Sequence, residues 1–168
     1  MLDESGSIGS TNFELMKSFL SHLVDRLDID SGNTRVGFVM FATNVGLTFN
    51  LNTYSTVSSI KAAISSIQYS TGGTDTAGAL AYVRTVMLRP ASGDRGDVPN
   101  IIAVITDGQS NDPQATQVFA DVYYNNTSMA GGLGVGAPYR SAEIQGGTLV
   151  YFDQPVLSEV SIYDFSVC

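Results

Sequence analysis

The sequence has no tryptophan, one histidine and one cysteine, and that cysteine, Cys168, is the last residue. One thiol makes no internal disulfide, so Cys168 is either free or half of a bridge to a cysteine outside these residues. Charge is scarce, at 14% of the chain, and positive charge scarcest: 8 Lys and Arg stand against 16 Asp and Glu, a net charge of −8. Neutralising phosphates takes clustered Lys and Arg, which argues against nucleic acid as a partner. A cation or a basic protein surface suits this balance better. No apolar run is long enough to span a bilayer, so no membrane insertion is expected. Asp3 and Glu4 stand where a signal peptide would carry its basic residues.

What is present is a globular composition. Hydrophobic residues make up 43% of 168 residues, enough for a single domain over 1–168 with a sizeable core. Thr11–Leu27 places Phe13, Met16, Leu20, Leu23, Val24 and Leu27 on one helical stripe. Ser10 or Thr11 is the expected N-cap, with Glu14 completing a capping box. After a polar break at Asp28–Asn33, Thr34–Thr43 is β-rich and nearly continuously apolar, as in a strand covered on both faces. Val45–Leu51 alternates and follows a short turn, which predicts an antiparallel partner at a sheet edge.

Helical spacing returns over Thr56–Ile67 and Asp75–Leu88, on either side of the glycine-rich loop Ser70–Thr76. Asn100–Gly108 reads as a buried strand, and Pro113 to about Tyr124 as a helix. Beyond Asn125 the pattern thins. Ser128–Gly136 reads as a glycine-diluted strand, Tyr139–Ile144 as a short helix, Thr148–Phe152 as a strand and Val156–Phe165 as a last helix. Alternating strands and helices predict an α/β domain: a doubly wound, mainly parallel sheet with one antiparallel edge strand and helices on both faces.

In such a sheet, functional loops gather beyond the carboxyl ends of the strands. Three loops there are rich in oxygen. One holds Asp3, Ser5 and Ser7 in "DESGS", the second Thr74 and Asp75 behind Gly72-Gly73, and the third Asp107 after "IIAVIT". Carboxylates and hydroxyls without a nearby His or Cys suit a hard divalent cation such as Mg²⁺. Two carboxylates neutralise such an ion only to about zero, and neutral hydroxyls and water complete its shell. The ion keeps enough Lewis acidity to attract a carboxylate from a partner, a binding logic that needs no bond to break. Asp75 also suits the N-cap of the helix that follows.

"DESGS", the Thr74 loop and "ITDG" together resemble the von Willebrand factor type A (vWA) domain. That family's metal-ion-dependent adhesion site has an Asp-x-Ser-x-Ser loop, a distant Thr and a distant Asp in this order. The resemblance runs from Met1 to about Gln117. It implies direct or water-mediated contacts to Mg²⁺ or Mn²⁺ from Asp3, Ser5, Ser7, Thr74 and Asp107. It also implies a doubly wound sheet with one antiparallel edge strand, and an extracellular, secreted setting within a larger matrix or adhesion protein. The expected partner is an extracellular protein, a matrix protein or receptor, engaged through the metal.

Two departures stand out. The family has a full hydrophobic strand before the Asp-x-Ser-x-Ser loop, where only Met1-Leu2 stands here. This predicts a first strand that is largely missing, through truncation or a misassigned start. Residues 125–147 match poorly. Extracellular members often pair a cysteine before the first strand with one after the last helix, the place Cys168 occupies.

Other motifs carry less. Arg95-Gly96-Asp97 reads as a chance tripeptide in an exposed loop at the far end of the sheet from the metal loops. Asn125 and Asn126 are overlapping glycosylation acceptors. "GGLGVG" lacks the spacing of a phosphate-binding turn, and His22 reads as a partly exposed helix residue rather than a base. The expected function is an adhesion module and not an enzyme. The alternatives are a structural matrix domain with a vestigial metal site, and a Mg²⁺-dependent phosphoryl hydrolase. The hydrolase would need a basic phosphate clamp that the three loops lack.

Overall fold

The structure, a computed structural model, describes residues 1–98, 100–107, 110–116, 140–144 and 147–153. Six strands form one sheet in the order β3-β2-β1-β4-β6-β5. They are β1 (Leu2–Asp3), β2 (Phe38–Phe41), β3 (Val45–Phe49), β4 (Asn100–Thr106), β5 (Arg140–Ile144) and β6 (Gly147–Asp153). β1 lies parallel between β2 and β4, pairing Leu2 with Met40 on one side and Ile105 on the other. β3 is the expected antiparallel edge strand. β6 runs parallel to β4, and β5 adds a second antiparallel pair at the opposite edge.

That last strand corrects one expectation, since Tyr139–Ile144 read as a short helix. Ala142 and Glu143 favour helix weakly, but pairing of Ile144 with Gly147 leaves two residues between β5 and β6, the length of a tight hairpin. Strand pairing outweighs local propensity there. Ser128–Gly136, Val156–Phe165, the part beyond residue 116 of the stretch read as a helix from Pro113 to about Tyr124, the acceptors Asn125 and Asn126, and Cys168 lie outside the described residues.

The pleat sends alternate side chains of β2 and β4 to opposite faces, and each face meets its own helices. Phe38, Met40 and Ile105 pack with Leu2 against α1 (Gly9–Val24) and α2 (Val57–Ser65) through Phe13, Met16, Phe19, Ile60 and Ile64. Val39, Phe41, Ile102 and Val104 pack against Ala79, Leu80, Val83 and Met87. The latter belong to α3 (Thr76–Tyr82) and the π-type turn Val83–Met87 that extends it. All four residues of β2 are buried, as its continuous apolar run predicts.

The start of α1 differs from expectation. The helix begins at Gly9, after Ile8, which makes no side-chain cap, and Ser10 and Thr11 lie inside it. The Gly9 N–H is taken instead by the Tyr69 hydroxyl, 60 residues away in sequence. Glu14 pairs with Lys17 rather than closing a capping box. The other two helices are capped locally: Thr56 accepts from the Ser59 N–H, and Asp75 from the Gly78 N–H, as expected for Asp75.

At its amino end β1 stops while its neighbours continue. Below Met1 lies an apolar cavity of about 350 Å³. Leu23 and Leu27 wall it from one helical layer, Met87 from the other, with Val36 and Ile101 at the strands. Ile101 is 52% exposed although β4 is interior. The Met1 ammonium donates to the Ala103 carbonyl at 2.6 Å, and burial pushes its pKa down to about 5.

Candidate metal centre

Successive strands are added on opposite sides of the β1–β4 pair, so the crevice beyond the carboxyl ends of β1 and β4 is the sheet's switch point. Asp3 ends β1, and Asp107 follows the last residue of β4. Asp3 is 0% exposed. Its Oδ1 accepts the Ser5 N–H at 2.7 Å and its Oδ2 the Thr106 hydroxyl at 2.6 Å. A carboxylate held this way turns the chain sharply and brings both serines back over the strand end.

The serine hydroxyls then face each other. Ser5 Oγ lies 3.2 Å from Ser7 Oγ, and Ser7 Oγ donates to Asp107 Oδ1 at 3.1 Å, across 100 residues of sequence. Ser5 is buried, Asp107 half-buried and Ser7 exposed, so the cluster opens outward. The Thr74 loop is tied to both neighbours. The Gly72 carbonyl accepts the Gly6 N–H at 3.0 Å, and the Thr74 carbonyl accepts from the Asn111 N–H at 2.8 Å and the Ser110 hydroxyl at 3.2 Å. Gly72 also lets the loop lie against the end of β2, because a Cβ there would stand 2.9 Å from Thr43 Oγ1 and 3.0 Å from Ala42 Cβ. Thr74 itself is buried. Among the described residues its hydroxyl has no protein partner.

All five residues singled out in the sequence therefore sit on three loops that are hydrogen-bonded to one another. Sequence reasoning missed Thr106, which fixes the Asp3 carboxylate, and Ser110 and Asn111, which fix Thr74. Thr106 stands inside the quoted "ITDG", next to Asp107, and a hydroxyl at the end of a buried strand was the available signal. It also missed Tyr69 and Glu4. Glu4 is buried, and its Oε2 accepts from both the N–H and the hydroxyl of Ser70.

The donor set suits a hard divalent ion. Oxygens side by side around a six-coordinate ion with bonds of about 2.0–2.1 Å lie about 3 Å apart. The Ser5–Ser7 and Ser7–Asp107 spacings of 3.2 and 3.1 Å are of that size. Asp3, Glu4 and Asp107 bring negative charge to the cluster, and none of the three loops contains Lys or Arg. Among the described residues no group of three or more His, Cys, Asp or Glu forms a metal cage, so the hydroxyls are essential to any ion held here.

The pattern of the von Willebrand factor type A domain matches residues 1–144. The chain belongs to that family. It is 39% identical over 114 residues to the mouse (Mus musculus) collagen alpha-4(VI) chain, covering 67% of this chain and 5% of the collagen. It is 37% identical over 115 residues to human (Homo sapiens) matrilin-4, covering 67% of this chain and 18% of the matrilin. The vWA chain thus spans only a small part of these relatives. Among solved structures it is similar to proximal thread matrix protein 1 from the mussel byssus, with a TM-score of 0.65 and 31% identity over 71% of this chain and 33% of that one. A further structure of the byssal protein, with a zinc-occupied MIDAS motif, matches at a TM-score of 0.65 and 32% identity, over 71% of this chain and 33% of that one.

The setting is extracellular, as expected: the relatives are collagen VI chains and matrilins, which are structural matrix proteins and not enzymes. No helix among the described residues is long and apolar enough to cross a membrane. The Arg95 guanidinium of the Arg95-Gly96-Asp97 tripeptide donates to the Gly32 and Asn33 carbonyls at 3.1 and 2.6 Å. His22 is exposed on α1, its Nδ1 2.9 Å from the Ser18 carbonyl oxygen.

Proposed function

We propose that this vWA domain is a non-catalytic, protein-binding module of an extracellular matrix protein, one that holds a divalent cation and engages an acidic residue of a protein partner through it. Asp3, Ser5, Ser7, Thr74 and Asp107 would hold the ion, Mg²⁺ or Mn²⁺ by the hardness of the donors. The bound ion supplies an electrophilic point for an incoming carboxylate. The observation that carries the reading is the Ser5–Ser7–Asp107 chain of oxygens at 3.2 and 3.1 Å, which joins residues 100 positions apart at the switch point of the sheet. Each Asp3 oxygen accepts one hydrogen bond, from the Ser5 N–H and the Thr106 hydroxyl, and keeps a lone pair, so the carboxylate would both fix the loop and bring charge to the ion, directly or through water.

The absence of any Lys or Arg from the three loops speaks against phosphoryl transfer, which needs a basic clamp. The relatives, being matrix proteins, point the same way. Asp107→Ala is the cleanest test. The side chain is half-buried and its hydrogen bond from Ser7 is at the exposed side of the cluster, so the variant is expected to fold, which its melting curve checks. Calorimetric titration with Mg²⁺ and Mn²⁺ should show one site in the wild type and at least a ~100-fold weaker one in the variant, as expected for loss of a charged ligand. Equal titrations of the two proteins would end the reading. Asp3→Ala is a poorer choice, because it empties a fully buried position whose carboxylate holds the Ser5 N–H and the Thr106 hydroxyl.

A further inference from the structure

One tyrosine holds the proposed metal loop from outside it. The Tyr69 hydroxyl accepts the Gly9 N–H at 3.1 Å and donates to the Ser5 carbonyl at 2.8 Å. These two bonds span the turn in which Ser7 sits. The ring is steadied by Phe13, with centroids 5.0 Å apart. Ser70, the next residue, grips the buried Glu4 carboxylate with its N–H at 3.1 Å and its hydroxyl at 2.6 Å. Two residues further on, the Gly72 carbonyl takes the Gly6 N–H. The segment therefore touches Glu4, Ser5, Gly6 and Gly9 in turn, and then delivers Thr74.

We propose that Tyr69 is a positioning residue for the divalent-ion site: through Ser5 and Gly9 it sets the spacing of the Ser5 and Ser7 hydroxyls before an ion arrives. The inference rests on the metal reading above and adds a cause for its affinity. Ion binding to oxygens already held about 3 Å apart needs little reordering, whereas a loose turn must be frozen first. Gly9 has a positive φ of 72°, and the helix that begins there has no cap of its own. The Tyr69 hydroxyl is therefore the group that satisfies the Gly9 donor and fixes the exit of the loop.

Tyr69→Phe deletes one oxygen and keeps the ring against Phe13. Tyr82→Phe is the matched control, because it also removes a hydrogen-bonded hydroxyl, 3.3 Å from Thr48 Oγ1 between α3 and β3. Three measurements are made on the 168-residue chain: Mg²⁺ and Mn²⁺ affinity by calorimetry, melting temperature without metal, and exchange of the Gly9 amide without metal. Tyr69→Phe is expected to weaken the metal 10–100-fold, as for other groups that orient ligands, and to speed Gly9 exchange. Tyr82→Phe should leave affinity within about twofold at a similar melting temperature. Wild-type affinity in Tyr69→Phe, with Asp107→Ala defective, overturns the positioning role and leaves the metal reading intact. Equal weakening in both tyrosine variants overturns it as well, since general loosening would then explain the effect. A wild-type chain that takes up neither ion ends both. If Tyr69→Phe does not fold, Gly9 amide exchange in the wild type decides: protection already present without metal is expected, and protection that appears only once Mg²⁺ binds overturns positioning before an ion arrives.

Discussion

At the carboxyl end of β1, three loops from distant parts of the chain are laced by short hydrogen bonds, and polar side chains are buried with partners: Asp3 with Ser5 and Thr106, Glu4 with Ser70. At its amino end, six positions of sequence before Ser7, the Met1 ammonium is buried against one carbonyl and apolar side chains of both helical layers face a cavity of about 350 Å³. The same two-residue strand joins these regions. The contrast separates two kinds of order. The site end is held by directional bonds that fix where oxygens stand. The opposite end depends on apolar filling, and a void there forfeits dispersion and hydrophobic contact alike.

The largest expected effect comes from making the two ends alike. Four apolar, β-branched residues added ahead of Met1 would run between β2 and β4 in line with β1, both faces covered. Burying those side chains and replacing the ammonium with an amide, set against the entropy of ordering four residues, should raise the unfolding free energy by about 5 kcal/mol. Urea denaturation measures it, and a Gly-Ser extension of the same length is the comparison. If both extensions act equally, the cavity is not a strand slot. Metal affinity should barely change, because the hydrogen bonds that set the oxygen spacing lie at the other end.

The next effect, for a polypeptide that starts at Met1, is the pH dependence of that amino end. The Met1 ammonium has a pKa of about 5 in the folded chain against 8.0 for the ordinary group. Between these values the unfolded chain carries a proton that the folded chain lacks, so stability rises with pH from 5 to 8 and is fully present above 8. Below pH 5 both states are charged and the penalty is constant. Three units correspond to at most about 4 kcal/mol. Acetylating Met1 should flatten this part of the profile, as should the apolar extension. A slope that survives acetylation would assign the pH dependence elsewhere.

The difference between the two ends also explains what was readable in the sequence. Side-chain periodicity marked α1 through Phe13 and Met16, α2 through Ile60 and Ile64, and the doubly buried β2, because hydrophobic burial leaves a repeating signature. The three oxygen-rich loops were legible because each lies beside a strand end or helix start that periodicity had located. Tyr69 left no such trace. Its role depends on one hydroxyl meeting the backbone of a loop 60 residues away, and nothing local distinguishes it from any half-buried tyrosine. The cap of α1 was misplaced onto Ser10 or Thr11 for the same reason. Arg140–Ile144 misled through propensity, since its partner strand lies on the far side of the hairpin.

The smallest effect probes a single bond at the site end. Thr106→Val keeps the shape of a side chain that is 1% exposed and removes the hydroxyl that donates to Asp3 Oδ2. The carboxylate is fully buried, so the lost bond leaves a charged oxygen short of a donor, at a cost of about 1–3 kcal/mol without metal. Divalent ion should offset part of that cost, since a cation near Asp3 compensates the charge the hydroxyl had stabilised. Melting curves of Thr106→Val with and without Mg²⁺ should therefore differ more than those of the wild type. A variant destabilised equally in both conditions would mean that the Asp3 carboxylate feels no ion, and that its place in the cluster is to shape the loop alone.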